Sequence, residues 1–118
     1  MDKEFGQFVR DKRQLLSEHD RRYSLRQVAG RIGLEPSYLS KIERGEQAPP
    51  SEEKIVALAK ELHLHDDVLL AMAGKISSEL KEAIRRRPEL FGELIRELNR
   101  MPDHAVLRLV REVRDGYW

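Results

Sequence analysis

Apolar residues recur every three or four positions along most of the chain, which is the spacing of one face of an α-helix. The first stretch of this kind ends at the polar residues Asp20 and Arg21. Its predicted inner face contains Phe5, Phe8, Val9, Lys12, Leu15 and Leu16. Long alternation of β-branched and polar residues, the usual sign of strands, is nearly absent. The pattern therefore predicts an all-α fold.

Capping residues define a second and a third helix. Ser24 is followed three positions later by Gln27, which is the spacing of a capping box at a helix start. Gly33 is expected to end this second helix, because glycine tolerates the left-handed backbone found at helix ends. Pro36 suits the first position of the third helix, and Gly45 suits the position just after its end.

Two more helices complete the N-terminal part. Ser51 is the expected N-cap of the fourth, and the fifth runs roughly from Asp66 to Ala73 before Gly74. A boundary at this glycine divides the chain into a five-helix domain over residues 1–74 and a C-terminal region over residues 75–118.

The sequence of the C-terminal region predicts three helices separated by Pro88 and Pro102. The first starts at Ser77 or Ser78, and Asp103 caps the last. They carry more large apolar side chains than three short helices can bury by themselves. We expect a dimerisation surface there, with burial within one copy as the alternative. Its predicted residues are Leu90, Phe91, Leu94, Leu98, Val106, Leu109, Val110 and Val113. Gly92 is expected to mark a close helix–helix approach. Trp118 is a further candidate residue of the dimerisation surface.

Composition limits the classes of protein that remain. The chain has 118 residues, of which 40% are hydrophobic and 36% are charged, and no cysteine. Disulfides and thiolate metal sites are excluded, and a reducing cytoplasm is favoured. No apolar stretch is long enough for a membrane span. The formal net charge is only +1, so binding to nucleic acid would depend on placed charges rather than on a basic tail.

The most informative segment is residues 24–45, SLRQVAGRIGLEPSYLSKIERG. Two short helices that cross at a tight turn need a small residue at the contact, supplied by Ala29, and a glycine four positions later, supplied by Gly33. This segment closely resembles the Cro/C1-type (Xre family, phage-repressor-like) helix-turn-helix, and the run from Tyr38 to Gly45 is similar to that family's most recognisable signature. The resemblance covers about residues 5–73.

The resemblance implies a five-helix, lambda-repressor-like domain that places the helix over residues 36–44 in the major groove of DNA. It implies the following DNA-binding residues: Ser24, Arg26, Gln27, Glu35, Pro36, Ser37, Tyr38, Ser40, Lys41 and Arg44. Glu35 and Pro36 depart from the family pattern, in which a serine or threonine often precedes the recognition helix and a polar side chain often begins it. Glu35 can instead accept a hydrogen bond from cytosine N4.

The resemblance also implies a structural ion pair between Arg13 and Glu43. Outside the matching segment, Arg85 to Arg87 are typical of a solvated helix end that complements the helix dipole, with a DNA clamp as the alternative. His63 and His65 lack the spacing and the additional ligands of a metal site, so no metal or cofactor is expected.

No motif of a hydrolase, kinase or metalloprotease is present, so an enzyme is not expected. The sequence favours a cytoplasmic transcriptional regulator that binds double-stranded DNA as a homodimer at a palindromic operator, with repression favoured over activation. The alternative is an antitoxin-like protein whose C-terminal helices bind a toxin while the N-terminal domain represses its own operon. A related alternative is a repressor inactivated by a regulatory peptidase that cleaves between its two parts.

Overall fold

The computed structural model describes residues 2–116, which form eight α-helices and one 3₁₀ turn, with no strand in that range. Trp118 lies outside the described residues. The elements are α1 Asp2–Ser17, the 3₁₀ turn Arg21–Tyr23, α2 Leu25–Ile32, α3 Pro36–Glu43, α4 Glu52–Glu61, α5 Asp66–Met72, α6 Ser78–Arg86, α7 Pro88–Arg100 and α8 Asp103–Asp115. The predicted all-α class is confirmed. None of the described helices is long and apolar enough to cross a membrane.

The helices form two compact units that divide between Ser77 and Ser78, three residues beyond the boundary predicted at Gly74. The segment after α5 still belongs to the first unit, because Lys75 Nζ donates a hydrogen bond to the Pro50 carbonyl at 2.9 Å. We call residues up to 77 the N-terminal unit and residues from 78 onward the C-terminal unit.

The N-terminal unit has a continuous apolar core to which each of its five α-helices contributes. Its buried apolar residues are Phe5, Val9, Val28, Ala29, Ile32, Leu39, Ile42, Ile55, Leu58, Ala59, Leu62, Leu69 and Leu70. The prediction for Leu15 was wrong, because its side chain is 58% exposed. The buried line of α1 runs through Phe5, Val9 and Arg13 at intervals of four residues, and position 15 lies on the other side of the helix.

The helix ends of the N-terminal unit follow the predicted caps. Ser24 Oγ accepts from the Gln27 amide and Ser51 Oγ accepts from the Lys54 amide. Gly33 adopts a positive φ of 75° where α2 ends. The start of α5 uses a cap that the sequence pattern did not indicate: His65 Nδ1 accepts from the Asp67 amide at 3.1 Å.

The C-terminal unit differs, because no described residue of α6, α7 or α8 is buried. Asp103 was predicted to cap α8 but is its first helical residue. The N-cap is Pro102, whose side chain has no polar atom and makes no cap bond. The close approach predicted at Gly92 is absent among residues 2–116. A methyl group there would meet Arg96 Nη1 at 3.5 Å, an ordinary contact.

Candidate nucleic-acid interface

The turn between α2 and α3 is held by backbone and side-chain hydrogen bonds. The Leu34 amide donates to the Ala29 carbonyl at 2.9 Å, which reverses the chain immediately after Gly33. Lys54 Nζ reaches across from α4 and donates to the Ile32 carbonyl at 2.8 Å, so it satisfies an acceptor at the end of α2. The Ala29 side chain is fully buried. The turn is thus fixed from two sides and sets the direction in which α3 leaves it.

The third helix has one buried and one exposed face. Leu39, Ile42 and Glu43 are buried, and the exposed face is polar. It consists of Ser37, Ser40, Lys41 and Arg44, of which Ser40 is half-buried. Two short hydroxyl side chains beside two long cations give a polar, positively charged surface that is suited to an anionic partner.

The two cations of this face differ in their surroundings. The Lys41 side chain makes no hydrogen bond or ion pair within residues 2–116. Arg44 Nη2 lies 3.0 Å from Glu46 Oε2, an exposed pair just beyond the end of α3. Since exposed ion pairs contribute little, Arg44 can exchange this partner for another anion at small cost.

The start of α3 carries the two residues that depart from the family pattern. Glu35 occupies the N-cap position, but its side chain makes no capping hydrogen bond and is exposed. Pro36 is the first helical residue and is half-buried. Tyr38 is half-buried and packs against the apolar core, to one side of the face that contains Lys41. The Glu35 carboxylate at the start of α3 can therefore accept hydrogen bonds from another molecule.

The predicted residues on α2 lie at its first turn. Arg26 and Gln27 are exposed, whereas Ser24 is half-buried and its hydroxyl is used as the N-cap. The start of a helix presents free amide groups and a partial positive charge. These residues therefore add a second polar patch that is suited to an anionic partner.

The structure brings Arg13 of α1 and Glu43 of α3 into a buried, two-point ion pair. Arg13 Nε donates to Glu43 Oε2 at 2.7 Å, and Nη2 donates to Oε1 at 2.9 Å. The third nitrogen, Nη1, donates to the Tyr23 carbonyl at 3.2 Å. Only 9% and 3% of the two side chains are exposed. The pair fixes α3 against α1 and neutralises the acid of α3 without using the exposed face.

A glycine in α1 sets how closely that helix approaches α3. A Cβ at Gly6 would collide with the Ile42 carbonyl oxygen and would lie 2.8 Å from the Glu43 carbonyl oxygen. Both atoms are backbone, so neither can rotate away. Sequence reasoning missed this residue, although a glycine in the middle of an amphipathic helix is a signal of close packing.

Arg10 and Gln14, also missed from the sequence, line a polar depression between α1 and α3 together with Ser40 and Arg44. The floor of the depression includes the buried pair of Arg13 and Glu43. Arg10 is exposed and makes no ion pair within residues 2–116. Its one-turn spacing from Gln14 on α1 puts both side chains on the edge facing α3.

A second polar cluster, formed around Arg31, ties α2 to α4. Arg31 Nε donates to Glu61 Oε2 at 2.6 Å, and its guanidinium lies 5.7 Å from the centre of the Tyr23 ring. The Tyr23 hydroxyl is 2.9 Å from His63 Nε2. His63 has a positive φ of 57°, a conformation that is rare outside glycine. Within residues 2–116 no group of His, Asp and Glu side chains is placed to hold a metal ion.

Asp20 stabilises the short turn between α1 and α2. Its carboxylate accepts from the Arg22 backbone amide at 2.9 Å and from the Arg22 guanidinium at 2.7 Å. These bonds favour the charged form, so the Arg22 side chain and amide lower the pKa of Asp20 below its usual value.

Comparison with known proteins identifies the N-terminal unit. A family model described as "Helix-turn-helix domain" matches residues 4–72, which covers more than half of the chain and includes α2, the tight turn and α3. Neither a curated protein nor a solved structure matches the chain significantly. With its two-helix unit braced by α1 and α4 and its polar face on α3, the chain belongs to the helix-turn-helix domain family of DNA-binding proteins.

Proposed function

We propose that this protein is a sequence-specific transcriptional regulator of the Cro/C1 (Xre) type, and that α3 is its recognition helix. The observation that carries the proposal is the exposed face of α3. That face presents Ser37, Ser40, Lys41 and Arg44, whereas Glu43, the acid within the helix, is buried against Arg13. A helix of this kind can enter the major groove without bringing an unpaired carboxylate of its own face to the phosphates.

Each residue of the interface has a role that follows from its side chain. Lys41 contacts a base edge, and Ser37 and Ser40 are short enough to let the helix come close to the base pairs. Arg44, Arg26 and Gln27 contact phosphates on either side of the groove, and so does the Tyr38 hydroxyl. The α2 N-terminus at Ser24 faces a phosphate, which the helix dipole favours.

Glu35 and Pro36 give the recognition helix a distinctive start. The Glu35 carboxylate, which caps nothing in α3, accepts a hydrogen bond from cytosine N4 in the operator. Pro36 has neither a backbone donor nor a polar side chain, so its own contact with the DNA is apolar. Arg10 and Gln14 extend the phosphate contacts from α1.

The protein acts as a homodimer on a palindromic operator in the cytoplasm. A single recognition helix covers one half-site, and two copies read half-sites whose centres are about one helical turn apart. Two copies also double the placed positive charge of a chain whose net charge is only +1. A dimer that covers two successive major grooves competes with RNA polymerase for promoter DNA, so the regulator is a repressor.

Selection of bound sites from a random duplex library tests the proposal. The expected result is an enriched inverted repeat whose affinity falls steeply with salt, because phosphate neutralisation releases counterions. Lys41→Ala should cost about 1–3 kcal/mol at one base position, whereas Arg44→Ala should weaken all sequences and reduce the salt slope by about 1.

The matched control is Lys60→Ala, which removes an exposed lysine from α4 and should leave binding unchanged. Absence of any enriched site at low salt contradicts the proposal. Equal binding by the wild type and the Lys41 and Arg44 variants would place the DNA surface on another face.

A second candidate function has one observation in its favour, the apolar and exposed surface of α7 and α8. In an antitoxin-like protein this surface holds a toxin while the N-terminal unit represses the operon. Stable co-purification of a second protein from the native host, at a fixed ratio, distinguishes this function from regulation by the homodimer alone.

A further inference from the structure

The end of α6 carries three consecutive arginines that the proposed DNA interface does not use. Arg85 and Arg86 lie in the last turn of α6, and Arg87 connects this helix to α7. All three are exposed. Arg85 has only a loose ion pair, with Glu82 Oε2 at 3.8 Å from its Nη1. The side chains of Arg86 and Arg87 make no hydrogen bond or ion pair within residues 2–116, so both are available to another molecule.

The helix dipoles do not account for the whole run. Arg85 and Arg86 lie at the C-terminal end of α6, where a cation is favourable. Arg87 also follows α6, but it is the N-cap of the 13-residue α7 and makes no side-chain cap bond there. The dipole of α7 disfavours a cation at its N-terminus, and this opposes the favourable effect of α6. The charge of Arg87 is therefore not explained by the stability of either helix.

The positive charge of the C-terminal unit is concentrated at this place. Residues 81–87, which we call the basic patch, contain four basic side chains and one acidic side chain, whereas the rest of the unit contains five basic and seven acidic ones. Two arginines outside the patch are paired with acids: Arg100 Nη1 lies 3.6 Å from Glu97 Oε1, and Arg114 Nε lies 3.5 Å from Asp115 Oδ1. An excess of exposed cations in one short segment is suited to a polyanion such as the phosphate backbone of DNA.

The N-terminal unit, which contains the proposed recognition helix, has no formal net charge with which to attract DNA. Residues 1–77 contain 13 basic and 13 acidic side chains. Neutralisation of phosphates supplies a large share of the affinity of proteins for DNA. A chain whose reading unit is electroneutral therefore gains affinity from cations placed outside that unit.

The basic patch is joined to the N-terminal unit by a short segment. Lys75 is held to that unit by its hydrogen bond to the Pro50 carbonyl, and only residues 76 and 77 separate it from Ser78, where α6 starts. DNA held by the N-terminal unit is therefore present at a high effective concentration for the patch, because both are parts of one chain. Even a weak contact with phosphates adds to the affinity under these conditions.

We propose that the basic patch is a second DNA contact, in which Arg86 and Arg87 bind phosphates while α3 reads the bases. The inference rests on the proposed function and extends DNA binding to the C-terminal unit. The patch selects no sequence, because phosphate contacts carry no sequence information and the neighbouring Pro88 has no group that pairs with a base edge. Arg85 adds a third charge when it leaves Glu82, an exchange that costs little for an exposed pair.

The salt dependence of DNA binding by the full-length protein tests the proposal. In the double variant Arg86→Ala/Arg87→Ala, the slope of log K against log salt concentration should become shallower by about 2, since each phosphate contact contributes about 0.9. The change should be the same on the selected operator and on unrelated duplex. Arg86→Lys/Arg87→Lys keeps both charges and should retain the wild-type slope. Fluorescence anisotropy of labelled duplexes between about 50 and 200 mM salt measures all three proteins.

A matched control removes the same amount of charge from elsewhere in the C-terminal unit. Arg100→Ala/Arg114→Ala takes away two arginines that are already paired with acids, and it should leave the slope unchanged. An equal loss in this control would assign the effect to net charge and would overturn the inference. Circular dichroism should show the same helix content in the alanine variants and the wild type.

The outcomes separate this inference from the proposed function. If an operator is selected and Arg86→Ala/Arg87→Ala keeps the wild-type slope, the inference fails and the proposed function stands. If no operator is selected but this variant still loses slope on unrelated duplex, the proposed function fails and the second contact stands. A wild type that binds no duplex contradicts both. Binding to vesicles that contain phosphatidylglycerol, lost in the variant while the DNA slope is unchanged, would assign the patch to a membrane surface and overturn the inference.

Discussion

The two units of this chain have similar amphipathic patterns but use them differently. In the N-terminal unit every α-helix contributes at least one side chain to a buried core, whereas the described helices of the C-terminal unit contribute none. The N-terminal unit also buries an ion pair and satisfies its helix ends with specific hydrogen bonds. An apolar stripe therefore predicts that a helix face will be covered, but it does not reveal whether the cover comes from the same chain.

The largest difference between the two units should appear when each is studied as a separate fragment. A fragment of residues 1–77 should unfold cooperatively as a monomer, because its core is complete. A fragment of residues 78–118 should gain helix only as its concentration rises, since its apolar face is covered by self-association. Circular dichroism over a hundredfold range of concentration measures both. Concentration-independent, cooperative unfolding of the second fragment would remove the distinction between the units.

Breaking the buried ion pair should be the most costly point change in the N-terminal unit. Glu43→Ala leaves the Arg13 guanidinium buried without its partner, which typically destabilises a fold by about 3–5 kcal/mol. The matched change Glu82→Ala removes one partner of an exposed pair with Arg85 and should alter stability by less than about 0.5 kcal/mol. Urea unfolding measures both variants.

A double-mutant cycle completes the test of this pair. Arg13→Ala, Glu43→Ala and the double variant should show coupling of about 0.5–3 kcal/mol. Additive effects would show that the contact in the structure carries no energy.

Two of the helix-interior glycines, Gly6 and Gly92, should respond in opposite directions to the same change. Gly6→Ala forces a methyl group against two carbonyl oxygens of α3 and should destabilise the N-terminal unit by about 1–3 kcal/mol. Gly92→Ala makes only an ordinary contact, with Arg96 Nη1 at 3.5 Å, and should stabilise α7 by up to about 1 kcal/mol. Thermal unfolding of both variants decides the point, and loss of stability in Gly92→Ala would reveal a close contact between copies.

Substitutions at the start of α2 and at the start of α8 should differ by a smaller amount in their effect on stability. Ser24→Ala removes the hydroxyl that accepts from the Gln27 amide and should cost about 1 kcal/mol. Asp103→Asn keeps the shape of a residue that caps nothing and should change stability by a few tenths of a kcal/mol through the helix dipole alone. Equal losses in the two variants would contradict the cap geometry at α8.

The smallest expected effect depends on pH. The Arg22 side chain and backbone amide lower the pKa of Asp20 in the folded protein. A lowered folded pKa stabilises the fold above the unfolded pKa, and this contribution is lost as the pH falls through the folded value. Asp20→Asn should therefore be slightly less stable than the wild type at pH 7 and equal to it in strong acid. A difference that persists below pH 2 would assign the effect to another cause.

Much of the fold could be predicted from the sequence, because its signals are local. Ser24, Gly33 and Pro36 mark helix ends through backbone geometry that involves only their near neighbours. The same applies to the polar face of α3, since three- and four-residue periodicity assigns Ser37 and Lys41 to the side opposite Leu39. The resemblance to the helix-turn-helix pattern predicted the pairing of Arg13 with Glu43, whose charges alone would have placed both residues on the surface.

The sequence by itself thus determined the helices, their order and the polar face that meets DNA in our proposal. Only the tertiary structure decided that Leu15 faces solvent, that Gly6 lies against the α3 backbone, and that Arg10 and Gln14 flank that helix. These features depend on how α1 approaches α3, and such contacts join residues about thirty or more positions apart. The lack of a core in α7 and α8 is likewise a tertiary fact, because an apolar stripe has the same sequence whether its partner lies in the same chain or in another.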